Sequence, residues 1–341
     1  MSLPSSEPPG ASGSTSELRL DPLTGRWVAI ATERANRPRA FAPQSLTVEQ
    51  DLGRPCPFCP GNEESTPPTL ESWGPDGWRV RVIPNLYPAF SGSGPLVVEQ
   101  DGPVFTHAEA TGIHEVFVFD RNHAGSWGSL SDEQAALTMQ ALAERMIAHE
   151  QSGTLRYSQP IVNYGREAGA SLAHPHGQLL GLSFVPAEVA TEQSGFERFR
   201  GGCLLCATVR AERAAEQRIV FSNDDVTVLC PYWAANPFEL LVIPTEHHAH
   251  MHRAQESSRA AAGQAVRDGL QLLNAHLGPL PYNLVFHSSP FRVIRDFHWH
   301  IHVVPKLITK AGFEMGTGVM INVVPPEQAA GALIRVLAAS S

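Results

Sequence analysis

The sequence predicts an α+β fold made of two similar halves, each a mainly antiparallel sheet with one long helix. Three observations lead to this prediction. The chain has 341 residues, which suits two domains of about 150 residues each. A set of cysteine and histidine landmarks occurs twice in the same order. Within each half, strand-like segments precede one long helical segment, and a further strand-like segment follows it.

The repeated landmarks indicate a duplicated domain. Each half contains a Cys-x-x-Cys pair, then a histidine, and then a His-x-His segment. The two matched histidines are separated by the same number of residues in both halves, which duplication explains more simply than chance. The interval before the first histidine is longer in the first half, so we expect an insertion within residues 60–110. The matched residues are Cys56, Cys59, His123 and His174 in the first half and Cys203, Cys206, His247 and His298 in the second.

The duplication places two domains at residues 18–187 and 188–341. The stretch 187–202 is polar and lacks strong periodicity, so we expect the join between the domains there. Residues 1–17 have no basic start and no apolar run, which excludes a signal peptide and predicts a disordered tail.

The predicted strands are rich in β-branched and aromatic residues and partly alternate between apolar and polar positions. They cover residues 27–32, 79–83 and 115–119 in the first half and 226–229, 239–243 and 283–286 in the second.

One long helix is predicted in each half. Ser131-Asp-Glu-Gln134 is a capping box, and the helix that it opens runs to about Gln151. Residues 257–277 are alanine-rich and carry larger apolar residues at helical spacing. These residues are Val266, Leu270 and Leu273.

Composition excludes several classes of protein. Acidic residues outnumber basic ones by 34 to 25, and the net charge of −9 argues against a general nucleic-acid or anionic-membrane binder. No apolar run reaches the roughly 18 residues that span a bilayer. Five cysteines without an export signal indicate a reducing compartment, which predicts a cytoplasmic protein. We therefore expect no nucleic-acid partner and no membrane.

The matched cysteines and histidines predict two metal centres. Two thiolates and two imidazoles suit tetrahedral zinc, and a site with four protein ligands has no open position, so both centres would be structural. Iron is the alternative metal at the second centre, and a redox-active cysteine pair is the alternative to metal binding. His248 and His250 compete with His247 as ligands, and the repeat favours His247. Cys230 has no partner in the repeat and is expected to be a small buried apolar residue.

A candidate reactive centre follows the first set of ligands. His176 and Gln178 lie two and four residues after His174, so on a strand all three face the same side of the sheet. An imidazole held there can act as a nucleophile, and Gln178 can donate a hydrogen bond to developing negative charge. The small residues of 163–171, with the Ser171 hydroxyl, could surround phosphate oxygens. The alternative is a strand with core histidines.

The motifs resemble those of galactose-1-phosphate uridylyltransferases, in the histidine-triad superfamily. Gly169-Ala-Ser-Leu-Ala-His-Pro-His-Gly-Gln178 closely resembles the active-site signature of that family. His298-Trp-His-Ile-His-Val-Val304 looks like the superfamily motif H-x-H-x-H followed by two apolar residues. The segments 26–38, 56–62 and 232–238 are also family-like, and the resemblance spans about residues 18–335. It implies histidine-triad-like domains and a homodimer.

The resemblance implies ping-pong transfer of UMP in galactose metabolism, as in the Leloir pathway. His176 would attack the α-phosphorus of UDP-glucose, release glucose 1-phosphate and carry a uridylyl group to galactose 1-phosphate. Gln178, Ser171 and two arginines would balance the phosphate charge. The resemblance further implies substrate-binding roles for Arg34, Arg37, Ile83, Asn85, Asn163, Ser171, Phe313 and Glu314.

The C-terminal segment departs from the family pattern. Many relatives have a Tyr-Glu pair that receives the sugar phosphate, whereas this chain has Phe313 and Glu314, and Met320 replaces an expected glutamine. Gly312-Phe-Glu-Met-Gly-Thr-Gly318 also resembles a sister group of ADP-glucose phosphorylases, which use inorganic phosphate as acceptor. That group tends to carry serine at the position of Pro175, so the His-Pro-His sequence favours uridylyl transfer. A zinc-stabilised nucleotide-binding protein without catalysis is the third hypothesis.

Overall fold

The computed structural model describes residues 16–36, 55–293 and 296–340. Arg37, which the resemblance assigns to phosphate binding, and nearly all of the predicted tail 1–17 lie outside the described residues. In each half of the described chain, strands precede one long helix and further strands follow it, as predicted. The strands are β1 (Glu17–Leu20), β2 (Trp27–Ile30), β3 (Glu71–Trp73), β4 (Val80–Pro84), β5 (Val98–Asp101), β6 (Phe105–Ala108), β7 (Gly112–Val118), β8 (Tyr157–Tyr164), β9 (His176–Leu182), β10 (Ile219–Ser222), β11 (Val226–Leu229), β12 (Leu240–Pro244), β13 (Tyr282–His287), β14 (His300–Pro305) and β15 (Met320–Asn322). The α-helices are α1 (Asp132–Gln151), α2 (Ala187–Arg198), α3 (Leu204–Ala215), α4 (Glu256–Leu277), α5 (Gly312–Thr317) and α6 (Pro326–Ser340).

One antiparallel sheet runs through both halves of the molecule. Its strand order is β10-β11-β12-β14-β13-β8-β9-β7-β4-β3, so each half contributes five strands. The halves meet where β13 pairs with β8, with Asn283 opposite Asn163. Counted outward from the pairing of β13 with β8, the strands that adjoin the repeated histidines come in the same order in the two halves. The α+β prediction with duplicated, mainly antiparallel halves is therefore confirmed.

The predicted strands and long helices correspond to observed elements. The six predicted strands correspond to β2, β4, β7, β11, β12 and β13. Ser131 caps α1 through a 3.1 Å hydrogen bond from the Gln134 backbone N–H, as the capping box predicts. The other half of the box is absent, because Gln134 Oε1 accepts the Arg79 Nε–H at 2.9 Å instead of the Ser131 backbone N–H. The amide nitrogen of Gln134 donates to the carbonyls of Arg79 and Phe119, which adjoin β4 and β7. The side-chain amide thus satisfies two carbonyls just outside the strands.

The main hydrophobic core lies between the sheet and the two long helices. Helix α1 of the first half packs against α4 of the second, and both cover the same face of the sheet. Met139 and Leu142 of α1 and Val266 and Leu270 of α4 are almost fully buried in this core. Because each long helix contacts the other half's helix, the hydrophobic effect holds the two halves together as well as each half internally.

The join at 187–202 was predicted to be a polar stretch without periodicity, and the structure differs from this prediction. Residues 187–198 form the helix α2, with Val189 and Phe196 buried on one face. The same face buries Glu192 and Gln193. Two polar residues inside the buried stripe hide the helical periodicity, which is why the apolar pattern alone did not predict the helix.

Two further features lie outside the shared core. The β5–β6 hairpin forms a separate two-stranded sheet within the predicted insertion 60–110. Near the chain ends, β15 pairs in parallel with β2, so a strand from the predicted N-terminal domain joins the C-terminal segment.

Among the described residues, no helix combines the length and apolar character needed to cross a membrane.

Candidate active site and metal centres

The structure brings together the first set of predicted metal ligands. Cys59 Sγ lies 3.4 Å from His123 Nδ1 and 3.6 Å from His174 Nδ1, and Cys56 completes the group. The Nε2–H of His174 donates to the carbonyl of Asp120 at 2.8 Å, which leaves Nδ1 as the ligand atom. A hydrogen bond from the ring nitrogen that does not bind the metal fixes the tautomer and the orientation of a metal-binding imidazole. The donor set and its spacing fit tetrahedral zinc.

The second set of predicted ligands repeats this arrangement. The Sγ atoms of Cys203 and Cys206 both lie 3.5 Å from His298 Nδ1, and His247 Nδ1 lies 3.6 Å from Cys206 Sγ. His298 Nε2–H donates to the Pro244 carbonyl at 2.9 Å. Cys203 is the N-cap of α3, where the helix dipole favours a thiolate.

Burial around this second centre opposes charge on its ligands when no cation is bound. Burial raises the pKa of Cys203 to about 11, and burial with the neighbouring His247 lowers the pKa of His298 to about 3. A bound cation reverses the first effect, because it stabilises a thiolate directly. The competing histidines face elsewhere: His248 Nδ1 accepts the His250 backbone N–H, and His250 Nδ1 lies 3.2 Å from the Ser289 carbonyl. His247 is therefore the histidine that meets the cysteines.

A third cluster of ligands was not predicted from the sequence. His287, His300 and His302 place imidazole nitrogens close together, and Glu192 of α2 contacts two of them. Glu192 carboxylate oxygens lie 2.5 Å from His287 Nδ1 and 2.9 Å from His300 Nε2. Burial alone would raise the pKa of Glu192, but the two imidazoles hold it below its ordinary value.

The chemistry of this third cluster fits a cation. His300 Nε2 and Glu192 Oε1 are buried 2.9 Å apart, and a cation between them would satisfy both atoms. Imidazole and carboxylate ligands together suit iron, zinc or manganese. No local motif marks Glu192, because its helix reaches the strand histidines only through the tertiary fold.

The candidate nucleophile lies at the start of β9, beside the first metal centre. His176 is 8% exposed, and its Nδ1–H donates to the His174 carbonyl at 2.8 Å. That bond leaves the Nε2 lone pair available. Burial lowers the pKa of His176, which keeps the ring neutral and nucleophilic. The Phe58 ring, 5.2 Å from the imidazole between ring centres, packs against it and limits its movement.

A cavity of about 360 Å³ opens beside His176. This volume is within the range of sites for small molecules and cofactors. Tyr87 and Leu86 form part of its rim, and Phe58, Val116 and Leu172 give it apolar walls. Five of the residues predicted from the sequence line it together. They are Ile83, Asn85, Ser171, His176 and Gln178.

Four predicted substrate-binding residues within the described ranges, Arg34, Asn163, Phe313 and Glu314, are not among those that line this cavity. Arg34 lies exposed in a 3₁₀ turn after β2. The Oδ1 atom of Asn163 accepts a hydrogen bond from Asn283 at the seam between the halves. Phe313 is 51% exposed on α5, and Glu314 accepts the Ala311 backbone N–H at the start of the same helix. The structure therefore brings the candidate nucleophile together with four of its predicted partners around one cavity. It leaves Phe313 and Glu314, the residues that correspond to the family's sugar-phosphate pair, away from that cavity.

Comparison with known proteins identifies what this arrangement is similar to. The family model described as the N-terminal domain of galactose-1-phosphate uridyl transferase matches residues 11–186, and the model of its C-terminal domain matches 189–331. ADP-glucose phosphorylase of Arabidopsis thaliana is 32% identical over 327 residues, covering 92% of this chain and 91% of the relative. Galactose-1-phosphate uridylyltransferase of Haemophilus influenzae is 29% identical over 312 residues, covering 87% and 88%.

Solved structures give the same two kinds of relative. The crystal structure of an ADP-glucose phosphorylase from Arabidopsis thaliana with bound ADP-glucose has a TM-score of 0.80 at 28% identity, covering 94% of this chain and 98% of that one. A uridylyltransferase structure has a TM-score of 0.74 at 27% identity, covering 96% and 99%. The likeness extends over nearly the whole fold in both cases.

Proposed function

Because this chain belongs to the galactose-1-phosphate uridylyltransferase family of nucleotidyltransferases, we propose that it transfers a nucleoside monophosphate through a covalent intermediate on His176. The observation that carries this proposal is the tautomer of His176. Its Nδ1–H is committed to the His174 carbonyl, so Nε2 holds a lone pair beside a cavity of suitable size. A metal at the first centre would hold His174, and through it the nucleophile.

The reaction takes two displacements at the same phosphorus. In the first, His176 Nε2 attacks the α-phosphorus of a nucleoside diphosphate sugar, a P–N bond forms, and the bond to the bridging oxygen breaks to release a sugar 1-phosphate. In the second, a phosphate oxygen of the acceptor attacks the same phosphorus and the P–N bond breaks. The phosphoramidate keeps the phosphorus activated between the two steps. Gln178, Ser171 and nearby backbone N–H groups stabilise the charge on the phosphoryl oxygens.

Ile83 and Asn85 line the same cavity from the end of β4, two strands away from the nucleophile strand β9, and are the proposed contacts of the base and ribose. Asn163 and Arg34, and Arg37 outside the described residues, are proposed contacts of the phosphates. Phe313 and Glu314 are proposed to receive the sugar phosphate. They do not line the cavity of their own chain, and we propose that they serve the partner's cavity in the homodimer that the family resemblance implies.

The first candidate reaction is uridylyl transfer from UDP-glucose to galactose 1-phosphate. The sequence His174-Pro-His176 and the uridylyltransferase relatives, at 26–29% identity, support it. The cysteines of both centres are free rather than paired in disulfides, which supports a cytoplasmic site of action.

The second candidate is phosphorolysis of ADP-glucose, with inorganic phosphate as acceptor. The segment Gly312-Phe-Glu-Met-Gly-Thr-Gly318 and the Arabidopsis relative at 32% identity support it. The covalent chemistry on His176 is the same in both candidates. They differ in the base that the cavity accepts and in the group that takes over the nucleotide.

Zinc is the proposed metal of both Cys₂His₂ centres, and iron is the alternative at the second. Such a metal is fully ligated by the protein, so it supplies structural cross-linking of strand ends rather than a reacting group. The ligands proposed here are the eight matched cysteines and histidines of the two halves.

The test is covalent labelling with two donors. The protein is incubated with UDP-glucose or ADP-glucose labelled at the α-phosphorus, and released glucose 1-phosphate and acid-labile label on the protein are both measured. Label from one donor, absent in His176→Ala, supports the proposal and selects the base. Supplying galactose 1-phosphate or inorganic phosphate to the labelled protein then selects the acceptor. A wild-type protein that binds these nucleotides but never carries label from either donor is the noncatalytic binding protein of the third hypothesis.

A further inference from the structure

We propose that His114 is a positioning residue that fixes which end of the Gln178 side-chain amide faces the substrate cavity. This inference rests on the proposed function, because Gln178 matters only if phosphoryl charge develops beside it. The sequence does not single out His114, and its separation from Gln178 is 64 residues along the chain.

Strand pairing places the two side chains together. In the register of β7 with β9, Val116 lies opposite Gln178. His114 is two residues from Val116 on β7, so its side chain lies on the same face of the sheet and diagonally next to Gln178. Its Nε2 lies 2.7 Å from Gln178 Oε1.

A backbone group fixes the tautomer of His114. The Ala89 N–H donates to His114 Nδ1 at 3.0 Å, so that nitrogen carries a lone pair and the proton of the neutral ring is on Nε2. The Nε2–H group can then donate only to an acceptor, which makes the nearby Gln178 atom the amide oxygen. Unlike a side-chain amide, the Ala89 backbone cannot turn round without moving the loop that carries it.

Asn85 lies near the same nitrogen and does not change this result. Its Oδ1 accepts the Tyr87 backbone N–H at 2.9 Å, and its amide nitrogen lies 3.1 Å from His114 Nε2. If Asn85 donated to a bare Nε2, the proton of His114 would lie on Nδ1, facing the Ala89 N–H. Two donors would then oppose each other at a site that the backbone geometry fixes. With the proton on Nε2, the opposed donors are instead Nε2–H and the Asn85 NH₂ group, whose contact of 3.1 Å is the longest of the three and belongs to a side chain rather than to the backbone.

The orientation of Gln178 follows from this tautomer. With Oε1 held by His114, the NH₂ group is the end of the side chain left to the cavity, which Gln178 lines together with His176. An NH₂ group can donate to a phosphoryl oxygen, whereas a flipped amide would present an oxygen to the same negative charge. His114 thus selects the productive end of Gln178 before any substrate binds.

The experiment compares two substitutions of equal length. His114→Gln and His114→Met both remove the ring nitrogen Nδ1 that accepts the Ala89 N–H, and only glutamine keeps an N–H donor near Gln178 Oε1. Each is made in the natural chain and in a Gln178→Met background. The first half-reaction is followed as glucose 1-phosphate release and protein labelling, with UDP-glucose and ADP-glucose as probes. Dissociation constants for the same donors and thermal unfolding midpoints are measured alongside.

His114→Met is expected to slow labelling roughly tenfold to a hundredfold, since an oriented donor of this kind contributes up to about 10³-fold. His114→Gln should recover most of that loss with a similar unfolding midpoint. In the Gln178→Met background, the two His114 substitutions should label within about twofold of each other, because coupled residues are not additive. Donor binding should change less than the labelling rate.

Two results overturn the inference. Equal labelling by His114→Gln and His114→Met in the natural chain would show that the donor at residue 114 has no role. A His114→Met effect of full size in the Gln178→Met background would show that His114 acts by another route. A wild-type protein that never labels overturns the proposed function and this inference with it, and so is distinguishable from both.

Discussion

His176 and His300 occupy equivalent positions in the two halves of the ten-stranded sheet. Each begins a strand two residues after a predicted metal ligand, and the Nδ1–H of each donates to that ligand's carbonyl at 2.8 Å. They differ at Nε2. The Glu192 carboxylate lies 2.9 Å from His300 Nε2, and His300 is fully buried, whereas His176 lines the cavity. Duplication supplied two similar imidazoles, and α2 covers only the second.

Substitution of these two histidines should separate their roles. His176→Ala should lower labelling by the nucleotide donor at least about 10³-fold, because no other group in the cavity replaces the nucleophile. His300→Ala should keep acid-labile label on the protein and lose thermal stability, because Glu192 loses a buried partner. Labelling is measured with α-phosphorus-labelled donor. Undiminished label on His176→Ala would place the nucleophile elsewhere.

Metal content should follow the clusters of ligands. Undenatured protein should contain at least two equivalents of metal per chain, and Cys56→Ala should lose one of them and unfold at lower temperature. Cys230→Ala is the matched control, because Cys230 is buried in the main core away from either cysteine pair and its removal should leave metal content unchanged. If the protein holds a third equivalent of metal and His287→Ala removes it, that ion is bound by the cluster that contacts Glu192. Metal-free wild-type protein with full stability would refute the assignments.

A buried carboxylate should make stability depend on pH. Glu115 is 1% exposed, and its carboxylate lies 2.5 Å from Arg145 and 3.5 Å from His149. Burial alone would raise the pKa of Glu115, but His149 and Arg145 hold it below the ordinary value of 4.5. A carboxylate with a depressed folded-state pKa stabilises the fold fully above its unfolded pKa and loses that contribution as pH falls through the folded pKa.

Glu115→Gln should therefore lower the free energy of unfolding by roughly 3 kcal/mol at pH 7, and the difference from wild type should shrink below about pH 4. Urea unfolding across this pH range measures it. Glu188→Gln is the control, because its ion pair with Arg26 is largely exposed and should contribute less than about 1 kcal/mol. A constant difference between wild type and Glu115→Gln down to pH 3 would contradict the assignment.

Gly177 allows the nucleophile strand to approach its neighbours. A Cβ at this position would lie 2.2 Å from the Phe117 ring and 2.5 Å from the Ile161 carbonyl. Gly177→Ala should cost about 1–3 kcal/mol of stability, and it should also slow labelling because His176 and Gln178 flank the displaced residue. Gly331→Ala, in a helix with only an arginine side-chain atom at 3.6 Å, should be neutral or stabilising. Thermal unfolding and labelling of both variants test this, and a Gly177→Ala protein indistinguishable from wild type would exclude a steric role.

The sequence was most informative where function depends on short spacing or on repetition. The matched landmarks predicted both groups of four ligands, because Cys-x-x-Cys and His-x-His fix side chains on one turn or one strand face. The alternation after His174 likewise placed His176 and Gln178 on one face. By contrast, the buried stripe of α2 contains Glu192 and Gln193, so the pattern of apolar residues gave no sign of that helix.

Contacts between distant segments could not be predicted in this way. Glu192 and His287 are 95 residues apart, and His114 and Gln178 are 64 apart. Neither pair has a local signature, since a single glutamate or histidine is compatible with many environments. Sheet register and helix docking decide these contacts, and a shift of one residue in register would turn His114 to the opposite face.

The amino-acid sequence by itself determined the duplication, the α+β class and the ligand types, and its resemblance to a known family pointed to the candidate nucleophile. The first three depend on residue type and on spacing within a few positions, which local backbone geometry converts directly into side-chain direction. The tertiary structure alone decided which of two equivalent imidazoles meets a cavity, which carboxylate covers the other, and which tautomer orients Gln178. These outcomes depend on packing between segments far apart in the chain, where small differences in register and burial determine which atoms meet.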